Sequence, residues 1–186
     1  MPEPASQEVA TRDSFQALPP GPMQPLAYRA SFSPAQYARV QRGLIPEEME
    51  DKWFIFWEDD ILYLHRSWTG YCVYVVHFQP VPAGHEVSEA FVSAARLHDR
   101  GAAAYEPRLL NFLIRGLLLQ EPLLFPDPAW IGRWSRQHWQ YVVVGNLSTP
   151  VPGETAGLLA RTWRTVGRWF ARASRWLSKK RGLPSA

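Results

Sequence analysis

The sequence predicts an α+β domain: an antiparallel β-meander of three to five strands, covered by helices and followed by a long C-terminal amphipathic helix. Two observations point to the sheet and its cover. Aromatic and β-branched runs between 52 and 78 are separated by short turn signals. A leucine-rich run at 109–119 has helical spacing. A third observation points to the terminal helix, because apolar and basic residues recur on opposite faces beyond Pro152 and Gly153.

Residues 1–30 hold Pro19-Pro20, Gly21-Pro22 and Pro25 with few clustered aliphatics, so a Pro-rich flexible arm is expected. The α+β domain is assigned to 31–150. It opens on a short helix, with Ser33 as N-cap, Pro34 in the first turn and Gly43 as the stop. Tyr37 and Val40 would face the core. Residues 52–57 form the first strand of the meander, Glu58-Asp59-Asp60 its turn and 61–68 the second strand. Thr69-Gly70 turns into a third strand at 71–78, which Pro80 and Pro82 break. Residues 86–93 read as a fourth strand, although Val87, Phe91, Ala94 and Ala95 also suit a helix face. Both faces of these strands are apolar, so helices, a partner or the chain's own ends must cover both sides. Glu106-Pro107 is expected to start a helix reaching about Leu119. Another helix is expected at 130–139, and Val142-Val143-Val144 suggests a last strand at 140–145.

The charge is unevenly distributed. Of 20 basic and 17 acidic residues, eight basic and one acidic lie between Glu154 and Arg181, leaving an acidic body with a basic end. At about 100° per residue, Leu159, Trp163, Val166, Phe170, Ala173 and Leu177 make one stripe, widened by Leu158, Trp169 and Trp176. Arg161, Arg164, Arg168, Arg172, Arg175 and Lys179 collect opposite. Such a helix either packs on its own domain or docks on a protein partner or an anionic membrane surface. No nucleic-acid reading motif accompanies it, which disfavours nucleic acid as a partner. Without a signal pattern or an apolar run long enough to span a bilayer, a bacterial cytoplasmic protein is expected, with peripheral membrane contact as the alternative the terminal helix leaves open. The lone Cys72 cannot form an internal disulfide, and the oligomeric state is left open. His77, His85, His98 and His138 lack metal-ligand spacing, and there is no phosphate-cradling glycine loop. No metal, cofactor or catalytic residue is assigned.

One polar cluster interrupts the apolar strands. If Asp59-Asp60 forms the first turn, Phe54 faces His65, Trp53 faces Arg66 and Lys52 faces Ser67. If Thr69-Gly70 forms the second, Ser67 faces Cys72 and Arg66 faces Val73. Lys52, His65, Arg66 and Ser67, flanked by Trp68, would then gather at one end of the sheet as an anion site. The plainer alternative stacks Arg66 on Trp53 and Trp68, leaves Lys52 solvated or neutralised by Glu50 or Asp51, and satisfies His65 within the strand. This register also brings Cys72 near His65, with no third group to orient such a pair.

The runs Asp51-Lys52-Trp53-Phe54 and Leu62-Tyr63-Leu64-His65-Arg66-Ser67-Trp68-Thr69-Gly70 resemble a pattern shared by a group of small uncharacterised bacterial proteins. The similarity covers roughly 44–120, through Ser88-Glu89-Ala90 and the leucine-rich run. It implies a fold unit and no activity. The resemblance implies a polar, acidic loop after the fourth strand, where this chain has Ser93-Ala94-Ala95-Arg96 and Gly101-Ala102-Ala103-Ala104. The terminal basic helix lies outside it. The sequence therefore favours a non-enzymatic binding module that engages a protein partner or an anionic surface, with the terminal helix as a contact element. The alternative is an enzyme or sensor for a phosphorylated or nucleotide-like ligand bound by Lys52, His65, Arg66 and Ser67.

Overall fold

The computed structural model describes residues 8–98, 101–128 and 136–145. The chain divides after Leu147 into two units, and the described residues all belong to the first. The expected terminal helix at 151–186 and most of the helix expected at 130–139 lie outside the described residues.

The described residues form an α+β fold on an antiparallel sheet. Its strands are β1 (Met23–Pro25), β2 (Ser31–Phe32), β3 (Trp53–Glu58), β4 (Ile61–Arg66), β5 (Cys72–Val81) and β6 (Gly84–Ser93). The order is β1-β6-β5-β4-β3, with β2 also paired to β6. Helix α1 (Pro34–Val40) starts as the sequence expects. The Ser33 hydroxyl accepts the Gln36 N–H and the Gln36 side chain accepts the Ser33 N–H, with Pro34 in the first turn.

The β3–β4 hairpin keeps the expected register, with Trp53 opposite Arg66 and Phe54 opposite His65. Asp59 and Asp60 make its tight turn with φ of 51° and 61°. The next turn departs from expectation. β4 ends at Arg66, the Gly70 N–H donates to the Arg66 carbonyl, and the Arg66 N–H donates to the Tyr71 carbonyl. A four-residue loop therefore replaces the expected Thr69-Gly70 two-residue turn, and the pairing shifts at Leu64/His65. Cys72 faces His65 instead of Ser67. β5 runs through Pro80 to Val81, beyond its expected end, and the fourth strand is present as β6.

The expected flexible arm is instead part of the fold over residues 8–30. β1 pairs with β6, and Pro25 is tolerated because β1 is an edge strand. The preceding residues cross the outer face of the sheet. Ala10 is buried with Phe54 and Phe56, and the Phe15 ring lies 5.8 Å from that of Phe54. The Leu18 N–H donates to the Gly70 carbonyl.

The inner face carries Trp53, Ile55, Leu62, Leu64, Tyr74, Val76 and Val92. It packs against α1, α2 (Ala102–Asn111), the π-helical segment Phe112–Leu118 and α3 (Arg136–Val144). Helices thus cover one side and the N-terminal stretch the other, as the two-faced apolar pattern requires. α2 starts a turn before the expected Glu106-Pro107 boundary, after Gly101 at φ 85°, and carries Pro107 in its interior.

The last strand expected at 140–145 is a helix. Val143 and Val144 are buried and Trp139 packs against the core, so tertiary burial overrides the β-branched preference. Gly145 closes α3 at φ 79°, and its N–H donates to the Tyr141 carbonyl. A Cβ there would lie 1.9 Å from the Glu50 carbonyl oxygen, so only glycine fits.

Candidate functional site

The sequence-derived cluster splits in two. Adjacent residues of one strand point to opposite faces, and His65 and Arg66 do so. Arg66 lies on the inner face, 5.1 Å from the Trp53 ring. Its guanidinium donates to the Val143 carbonyl at 2.8 Å and the Val142 carbonyl at 3.1 Å. Trp53 Nε1 also donates to the Val143 carbonyl at 2.8 Å. Arg66 is thus the C-terminal cap of α3, set against the negative end of the helix dipole. Burial and the nearby Arg96 charge lower its pKa. Arginine remains protonated all the same.

His65 lies on the outer face, 1% exposed, with its ring centroid 5.4 Å from that of Phe56. Its Nδ1 donates to the Gly70 carbonyl at 2.9 Å, which leaves Nε2 without a hydrogen bond. Burial lowers its pKa, the Gly70 bond opposes that, and Arg12 adds to the lowering. Cys72 faces it across the strands, but burial pushes the thiol up to about 12 and the sulfur turns to the Tyr74 carbonyl at 3.7 Å. A protonated buried thiol is a poor nucleophile.

The buried neutral imidazole makes stability depend on pH. The folded pKa lies below the ordinary 6.5, so the unfolded chain takes up the proton first as pH falls. The contribution of His65 is therefore complete above about pH 6.5 and lost below it, by at most about 1.4 kcal/mol per pH unit. His65→Phe keeps a ring in the stack and removes the titration. Its urea midpoint should fall less steeply than that of the parent between neutral and mildly acidic pH. An identical slope would place the titration elsewhere.

Lys52, Ser67 and Trp68 do come together, at the start of β3 and the end of β4. The Lys52 ammonium lies 4.1 Å from the Trp68 ring centroid and 5.2 Å from that of Tyr141. It donates to the Met49 carbonyl at 3.4 Å. Lys52 is buried, and among the described residues it has no carboxylate partner. The Ser67 hydroxyl donates to the Asp51 carbonyl, and Trp68 Nε1 donates to the Met49 carbonyl at 2.6 Å. Trp68 is nonetheless 62% exposed as a residue.

Two concavities flank this corner. A cleft of about 570 Å³ lies between the start of β3, the end of the π-helical segment and the end of α3. Leu44, Trp53, Leu117, Leu118 and Val144 line it together with Lys52, Arg42, Glu47 and Gln120. A groove of about 470 Å³ is lined by Phe15, Pro46, Glu47, Glu48, Met49, Ser67 and Trp68. No family model, curated protein or solved structure matches the chain. The functional reading therefore rests on this geometry.

Sequence reasoning missed a third group. Glu106, 2% exposed, accepts the Tyr74 hydroxyl and pairs with Arg96 at 2.8 Å. Burial and the Glu106 charge raise the Tyr74 pKa well above its ordinary value, so Tyr74 remains a donor. Burial opposes the Arg96 charge, but Tyr74 and Glu106 outweigh it and raise the Arg96 pKa. Helical spacing could have found this carboxylate. Ala102, Tyr105, Glu106, Leu109, Leu110 and Leu113 follow the pattern of a single buried face. Among the described residues there is no cluster of three or more potential metal ligands and no helix long and apolar enough to cross a membrane.

Proposed function

We propose that the protein is a non-enzymatic binding module that engages a protein partner, with the basic C-terminal segment and the Trp68 corner as contact elements. The observation carrying this reading is the exposed Trp68, held by a hydrogen bond on its nitrogen and an ammonium against its ring. Exposed aromatic side chains with little freedom left to lose are strong interface anchors. Phe15 and Met49, also exposed, line the same groove. The alternative reading, a phosphorylated or nucleotide-like ligand on Lys52, His65, Arg66 and Ser67, has less support. The Arg66 guanidinium is spent on α3, and His65 is sealed on the opposite face.

Arg164, Arg168 and Arg172 changed together to Glu should abolish capture of a partner by the full chain. Trp68→Ala should weaken capture about tenfold or more. Capture unchanged in both variants would sink the reading.

A further inference from the structure

We infer that the groove beside Trp68 receives a basic, apolar segment of a partner polypeptide. This rests on the binding-module reading and adds the chemistry of the partner. Phe15, Met49 and Trp68, which are 40%, 74% and 62% exposed, supply the apolar wall. Glu47 and Glu48 supply the charge. Both are exposed, and neither forms an ion pair among the described residues. Their backbone is tied down: the Asp51 carboxylate accepts the Glu47 N–H at 2.8 Å and the Glu48 N–H at 3.0 Å.

The two glutamates therefore project from a fixed stretch of backbone beside an apolar surface. Lysine or arginine side chains can lay their stems on Met49 and Trp68 while their heads meet Glu47 and Glu48. Charge also decides against a lipid surface here, since two exposed carboxylates are repelled by anionic headgroups. An acidic peptide is disfavoured for the same reason.

The test uses the full chain and fluorescence anisotropy with three labelled peptides: arginine and leucine, glutamate and leucine, and arginine and serine. The arginine–leucine peptide should bind, more weakly at higher salt, and the other two at least about tenfold more weakly. Trp68→Ala should weaken its binding about tenfold or more, as should Glu47→Lys combined with Glu48→Lys. All three positions are exposed, so these variants should retain the fold. Equal binding of the glutamate–leucine peptide, or no loss in either variant, overturns the inference. Sedimentation showing self-association that Trp68→Ala abolishes would assign the groove to a second copy and also overturn it. If no peptide binds while Trp68→Ala still weakens partner capture, the peptide chemistry fails and the binding-module reading stands. If neither Trp68→Ala nor the arginine-to-glutamate variant changes capture, that reading fails too.

Discussion

Trp53→Ala should cost about 4 kcal/mol of stability, read as a drop in the urea midpoint at unchanged slope. Three contacts converge on this side chain. It is 2% exposed in the main core, its ring stacks on Tyr74 at 6.0 Å, and its N–H holds the last turn of α3. Arg66→Ala should cost less, about 2 kcal/mol, because it removes charged donors from two carbonyls while Trp53 Nε1 keeps one of them satisfied. The two side chains share the Val143 carbonyl and touch each other, so the double variant should differ from the sum of the single variants. Simple additivity would show that Arg66 and Trp53 act independently, contrary to the shared cap.

The second large effect is expected at Glu106. Glu106→Ala should cost about 3 kcal/mol, because it strands the largely buried Arg96 guanidinium and leaves the Tyr74 hydroxyl without its acceptor. Glu106→Gln should cost less, since an amide oxygen still accepts from Tyr74. Replacing the pair together, Glu106→Leu with Arg96→Met, should recover much of the loss by removing both charges at once. If Glu106→Ala is as stable as the parent, the buried pair contributes nothing.

Some of this was legible in the sequence. The β3–β4 register follows from Asp59-Asp60 alone, and Ser33-Pro34 marks the start of α1. The need to cover both sheet faces could be read from 53–57. The failures have local causes. Three consecutive valines favour a strand by residue type, but burial of Val143 and Val144 and the caps from Arg66 and Trp53 make that segment helical. Thr69-Gly70 looked like a complete turn, and the carbonyl that Gly70 binds cannot be read from residue types. Prolines at 19–25 suggested freedom, yet proline is compatible with an edge strand. Of the candidate cluster, Lys52 and Ser67 lie side by side, the Ser67 N–H donating to the Lys52 carbonyl, while strand alternation puts His65 and Arg66 on opposite faces.

The pairing of β1 with β6 bears on the order in which the chain folds. Met23 meets Ser93, so β1 finds its partner only after the whole meander has emerged from the ribosome. Such long-range closure slows folding, because the entropy of the intervening loop is lost before the contact forms. The local hairpins 53–66 and 72–93 can form first, which leaves the outer faces of Phe54 and Phe56 bare until the residues around Ala10 settle over them. Nascent chains stalled at that stage would expose an aromatic sheet face, the surface on which chaperones act and aggregates start.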